Sequence, residues 1–393
     1  MSRRFLRIFA CVIPICVFAT ALGQPPSVDG KPGATNANKQ SSAGHETSRS
    51  PGKRPVDMTD IPPDATAEDA DIAKLGEGFK VHRTMHFSLL HNVSEADAKA
   101  FSAAIEKTYR SNVNYAMSLD IEPKKPARKL IIYYFDEHQR YSDYSKSLGK
   151  GERPQNNPGV YFPDMNRSMF YNFRNQDSFR KAREDSEKKI EELKNRLKGK
   201  VTPEQRRQIN QEITQAKALA NASSTQGGGL TEETVQHEVT HHVLWNIGFH
   251  NNKPDCFPAN PRWFAEGTAM MFETSGEGKS SNIGAVNRGR LRDFQSLEKN
   301  HQLPDLKELI GTPAMFNGPS DVQTKAYAES WALVHYLNRT KRGPIKAYVE
   351  AVNKRGTDYE PTPDKELAAF EKAFGKLDDK WIAQWKSWMK GVR

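Results

Sequence analysis

Cysteine is scarce in this 393-residue chain: there are three, Cys11, Cys16 and Cys256. Cys11 and Cys16 lie in an apolar N-terminal stretch that is expected to be removed. Cys256 is then alone, which excludes a disulfide framework within the mature monomer. A lone thiol is more often buried packing than a nucleophile, so cysteine chemistry is not the expectation. Long apolar runs are also missing. Ile8 to Ala19 is short and interrupted by Pro14, too little to span a bilayer. No run of Lys and Arg alternates with aromatics, so the net charge of +10 reads as a solvated basic surface and no nucleic-acid partner is expected. There is no convincing internal repeat. Hydrophobic residues make up 36% of the chain, low enough to expect stretches that do not fold by themselves.

What is present begins with an export pattern. Arg3, Arg4 and Arg7 form a basic region, Ile8 to Ala19 an apolar one, and Ala21-Leu22-Gly23 a small-x-small cleavage site. Residues 1–23 therefore read as a signal peptide, with a periplasmic or secreted product and no stable membrane span after cleavage. Residues 24–75 are rich in Pro, Gly, Ser, Asn and charge without apolar periodicity, and read as a disordered linker. The remainder, 76–393, reads as one α+β domain. Thr84 to Val93 alternates as a strand, Ser94 N-caps a helix, and Lys129 to Phe135 is a compact β-type run. Val160 to Phe162 and Ser168 to Phe173 flank a polar turn and suggest a hairpin. Residues 177–225 differ: they are charge-dense and helical, with a capping box at Thr202 and Gln205 and Pro203 at the first helical position. They read as an inserted helical hairpin, either a solvated spacer or an arm for a partner. Gln226-Gly227-Gly228-Gly229 is expected to be a flexible hinge. The C-terminal part is helical, and Trp381, Trp385 and Trp388 share a stripe suited to core packing.

One segment carries chemistry. Thr231 reads as the N-cap of a helix that ends at Gly248 and contains His237-Glu238-Val239-Thr240-His241. Residues four apart project from one helix face, so His237 and His241 can offer two imidazole nitrogens to one zinc ion. Glu238, beside the first ligand, can reach a water at the metal as general base. Val235, Val239, Leu244 and Ile247 make this helix apolar, and buried histidines and a carboxylate are costly without partners. A zinc hydrolase normally has a third protein ligand. The metzincin spacing is excluded, because Leu244 and Ile247 occupy the positions where that pattern needs Gly and His. The better candidate is Glu266, in Pro261-Arg262-Trp263-Phe264-Ala265-Glu266-Gly267, on a second helix N-capped by Asn260. Glu273 is the competitor, seven residues on.

These segments, with Tyr327-Ala328-Glu329-Ser330-Trp331, resemble the peptidase-MA-like group of gluzincins, a group with many exported bacterial proteins of unassigned function. The resemblance runs from about Phe79 to the C-terminus, apart from the helical insertion. It implies a thermolysin-like architecture: a small sheet whose edge strand borders the cleft, then a helical half. It implies Glu266 as third zinc ligand and points to Tyr327 as oxyanion donor, with Tyr161 as an alternative. The local sequence of thermolysin around the third ligand is missing, so its substrate pockets do not carry over. The expected activity is zinc-dependent hydrolysis of a protein or peptide substrate. The alternatives are a non-catalytic envelope binding protein on the same scaffold and a zinc amidase acting on a cell-wall component.

Overall fold

The six residues Leu130–Phe135 are apolar or aromatic throughout and buried throughout, as a strand covered on both faces must be. That strand forms the middle of the sheet. The computed structural model describes residues 59–253, 255–273 and 285–393. In chain order the first elements are α1 (Ala65–Leu75), β1 (Lys80–Arg83), β2 (Phe87–His91), α2 (Glu95–Ser118), β3 (Leu130–Phe135), α3 (His138–Ser147), β4 (Gly159–Phe162) and β5 (Arg167–Tyr171). The five strands lie in the order β1-β2-β3-β5-β4. β2, β3 and β5 run parallel, while β1 and β4 are antiparallel to their neighbours at the two edges. Side chains alternate across this sheet. Leu90, Ile131, Tyr133 and Met169 face α1 and α3, packing with Leu75, Tyr141 and Tyr144. On the other face Phe101 of α2 stacks on Tyr134 at 4.2 Å and meets Phe170 edge-on at 5.2 Å.

The folded region starts earlier than residue 76. α1 lies within the segment whose composition reads as a linker. Asp64 caps it by accepting from the Ala67 amide. Its Glu68 is fully buried, bound by Arg83 Nη2 at 2.5 Å and Ser88 Oγ at 2.5 Å. The correction has a plain cause: α1 is held by long-range polar contacts together with a few apolar side chains such as Leu75, too few to set an apolar period in the sequence. Residues 1–23, which read as a signal peptide, and residues 24–58 lie outside the described residues.

The chain then continues as α4 (Asp177–Lys198) and α5 (Pro203–Asn246). α4 packs on the first part of α5 through Leu193, Ile209 and Ile213. Thr202 and Gln205 form the capping box at the start of α5, with Pro203 in its first turn. The expected hinge and the expected helix start at Thr231 are both corrected: α5 is one 44-residue helix that runs through Gly227, Gly228 and Gly229 into the His-Glu-x-x-His segment. Each helical glycine costs about 1 kcal/mol relative to alanine. Apolar side chains buried at both ends of α5, among them Ile209, Val235, Val239 and Val243, each contribute about 1.5–3 kcal/mol. Packing therefore outweighs the local preference.

The last third is helical: α6 (Arg262–Met270), α7 (Arg288–Lys299), α8 (Leu306–Gly311), α9 (Ser320–Thr340), α10 (Arg342–Asn353), α11 (Pro363–Phe374) and α12 (Asp379–Lys390). α9 is its centre, packing against α6, α7, α10 and α12. The tryptophan stripe is core. Trp385 is fully buried and its indole N–H donates to the Ala332 carbonyl at 3.4 Å, while Trp388 meets Tyr336. Cys256 is a buried free thiol. The molecule is thus α+β, with a small mixed sheet and a mainly helical remainder. Among the described residues no helix is long and apolar enough to cross a membrane.

Candidate metal centre

Two helices build the site. α5 passes between α2, β4 and α6, so its His237 and Glu238 are fully buried and His241 nearly so. α6 crosses it and carries Glu266. The closeness of α6 to α9 depends on Gly267, where a Cβ would lie 2.6 Å from the Ser330 carbonyl oxygen and 2.5 Å from Val334 Cγ2. The N-cap of α6 is Pro261 rather than Asn260. The Asn260 side-chain oxygen instead accepts from the Asn251 amide at 2.9 Å and ties down the preceding loop.

His237, His241 and Glu266 converge as a group that could hold a metal ion. His237 Nε2 lies 3.1 Å from His241 Nε2 and 3.1 Å from Glu266 Oε2. His241 Nε2 lies 3.3 Å from the same carboxylate oxygen. A tetrahedral ion with bonds of about 2.0–2.1 Å requires donors about 3.3–3.4 Å apart. The three atoms therefore sit close to the corners such an ion needs. The second nitrogen of His237, Nδ1, is 2.7 Å from Glu273 Oε1. With Nδ1 donating to that carboxylate, the Nε2 lone pair faces the centre. Burial lowers the pKa of His241, against the opposing pull of Glu266, so its imidazole is neutral and able to ligate.

The carboxylates are set apart by their neighbours. Burial would push Glu266 up, but Arg262, His241 and the histidine hydrogen bonds outweigh it and hold the group well below the usual range. Arg262, one turn earlier on α6, takes Glu266 Oε1 at 2.6 Å and leaves Oε2 toward the histidines. Glu273 is likewise opposed by burial yet brought down to about 2 by Arg290 and His237. Arg290 binds it through Nε at 3.1 Å and Nη2 at 3.2 Å, and Asn287 donates to it at 3.2 Å. Glu238 goes the other way: burial first, then Glu266, push it up to about 8, against the lowering pull of His237. Its Oε2 accepts from the Tyr161 backbone amide at 2.8 Å. Its Oε1 has no hydrogen-bond partner among the described residues.

Tyr161 belongs to edge strand β4. Its ring stacks on His242 at 4.9 Å, and His242 Nδ1 is 3.0 Å from Ser168 Oγ. The Tyr161 hydroxyl donates to Asn166 Oδ1 at 3.1 Å. A cavity of about 200 Å³ has Tyr161, His241 and Glu266 in its wall. Tyr327 is placed differently. It is fully buried in α9 with its ring edge-on to Phe316 at 5.4 Å and Arg290 over its face at 5.8 Å, and it is not part of that wall. Ser330, one turn on, touches α6 through its carbonyl.

Arg262 had a legible signal, the four-residue helical spacing to Glu266. The contribution of Arg290 had none, because its contact with Glu273 is tertiary. Nor does the sequence show that a backbone amide of β4 meets Glu238. His242, set on another face of α5 from His241, is the buried support behind Tyr161.

The comparisons with known proteins narrow little. No curated protein matches the chain, and no solved structure matches it. The sequence model of one family, described as "Protein of unknown function (DUF1570)", matches residues 232–358, the stretch that runs from just before the His-Glu-x-x-His segment to just beyond α10.

Proposed function

We propose that this protein is an exported zinc-dependent metallopeptidase of the gluzincin type, hydrolysing peptide bonds with water. One observation carries the reading: two histidines and a glutamate from two helices meet at ligand spacing, and Glu238, next to His237, has a buried Oε1 without a hydrogen-bond partner among the described residues. Strands preceding the ligand helix, an edge strand beside the cavity and a helical remainder are consistent with a thermolysin-like, peptidase-MA-like architecture. The export pattern at the N-terminus supports a periplasmic or secreted site of action.

The residues divide the work as follows. His237, His241 and Glu266 hold the metal, with His237 oriented by Glu273 and Glu266 by Arg262. A bound zinc would supply Lewis acidity toward a carbonyl oxygen and a positive charge that favours ionised Glu238. Glu238 accepts the proton of the attacking water at Oε1 while the Tyr161 amide fixes its Oε2. It then returns that proton to the leaving amine nitrogen. Tyr161 and Tyr327 are the candidate donors to the oxyanion, and Tyr161 is favoured because it lines the cavity.

The test is metal content and turnover on the same purified samples. Wild type should retain close to one zinc per chain and cleave a peptide library. Glu238→Gln should keep the zinc and lose about 10²–10⁴ of the rate, and His237→Ala should lose the zinc. Wild-type turnover in Glu238→Gln, or no zinc bound after reconstitution, would sink the reading.

A further inference from the structure

The cavity beside the ligands has a wall of unusual chemistry. Six of its residues are prolines: Pro163, Pro258, Pro261, Pro313, Pro361 and Pro363. They come from the β4–β5 turn, from the segments before α6, after α8 and before α11, and from the first turn of α11. Proline carries no backbone N–H. At those six positions the wall offers no amide donor, so a polar group pressed against them would lose its water without replacement. Ala265, Leu309 and Ile310 add apolar surface.

Three charged side chains reach the wall, Arg262, Glu266 and Glu366, and each is already engaged. Arg262 binds Glu266 at 2.6 Å. Glu366 accepts from Arg355 Nη2 at 3.0 Å and from the Tyr359 hydroxyl at 2.6 Å. Each of the three charges is thus balanced or hydrogen-bonded within the protein. The wall is also fixed in shape. Proline restricts the backbone, and α8 is pressed on α11 so closely that a Cβ at Gly311 would lie 3.1 Å from Pro363 Cβ. A pocket formed in advance spends little binding free energy on ordering itself.

We infer that this cavity is the subsite for a large apolar side chain, leucine- to phenylalanine-sized, next to the scissile bond. The inference rests on the proposed hydrolytic reading for the phrase "next to the scissile bond", since His241 and Glu266 stand in the wall. The cavity's volume of about 200 Å³ is several times the roughly 30 Å³ share of one water, so glycine or alanine would leave it largely unfilled. Filling it with leucine or phenylalanine should improve binding about 10–150-fold over glycine.

Two arms test this on the full chain. In the first, zinc-free protein is titrated with the N-acetyl amides of phenylalanine, leucine, glycine and aspartate, followed by ligand-observed NMR. In the second, zinc-loaded protein is titrated with the hydroxamates of the same amino acids by calorimetry. Both arms should rank phenylalanine and leucine above glycine, with aspartate weakest, and the hydroxamate ratio should fall in the range above. Ala265→Leu, which fills the space from α6, should cut the phenylalanine-to-glycine ratio to below about threefold. Equal binding of phenylalanine and glycine probes in both arms, or preference for aspartate, overturns the subsite. The expected ranking in the zinc-free arm, with no zinc retained in the other, keeps the subsite and overturns the hydrolytic reading instead. The wild-type series decides the question even if the Ala265 variant does not fold.

Discussion

Replacing Glu273 with glutamine tests whether the centre is organised beyond its three ligands. Glu273 Oε1 accepts from His237 Nδ1 at 2.7 Å, and the carboxylate is held by Arg290 and Asn287. A hydrogen bond to a charged group contributes about 1.5–3 kcal/mol, which corresponds to about 10–150-fold in a dissociation constant. Partners that orient a metal-bound histidine typically contribute 10–100-fold, so the two figures agree. Zinc affinity measured by competition with a chromogenic chelator should fall by that factor. The substitution also leaves Arg290, 12% exposed, without its counter-charge, a loss of about 3 kcal/mol. Its pH dependence follows from the lowered pKa. The folded group titrates at about 2, below the ordinary value of about 4.3. The stabilisation is therefore complete above about 4.3 and disappears as pH falls toward 2. Denaturant unfolding of metal-free protein should show a wild-type advantage at pH 7 that closes at pH 2–3. An unchanged zinc affinity in a folded variant, or a gap that persists at pH 2, would refute the assignment.

Three further perturbations have definite outcomes. Gly267→Ala puts a Cβ into the Ser330 carbonyl and Val334; it should destabilise by about 1–3 kcal/mol and weaken zinc binding by displacing Glu266, read by thermal unfolding and metal titration. Tyr327→Phe should change turnover less than about threefold, whereas a loss of 10²–10³ would identify Tyr327 as the oxyanion donor after all. The raised pKa of Glu238 means that the metal-free fold loses stability as pH rises from about 4.3 toward 8. Glu238→Gln should therefore stabilise zinc-free protein at pH 7.5 by on the order of 1 kcal/mol or more, read as a higher melting temperature, and equal melting temperatures would count against that burial cost.

The sequence by itself determined the elements whose information is local. Spacing of four put His237 and His241 on one helix face, and a capping box set the start of α5 at Pro203. Alternation or continuous apolarity marked β2, β3 and the β4–β5 hairpin. The sequence favours Glu266 over Glu273 for the metal, and the fold places both at the centre, Glu266 beside Nε2 of His237 and Glu273 behind it at Nδ1. Tertiary structure alone decided the rest. Three glycines read as a hinge, yet packing at both ends carries one helix through them. A polar stretch read as linker, yet Glu68, Arg83 and Ser88 bind it to the sheet. The amide that meets Glu238 lies 77 residues away, and the carboxylate–arginine pair behind His237 joins residues 17 apart. Periodicity records which face of an element is buried. It holds no record of which distant atom that face meets, and the centre is made of such meetings.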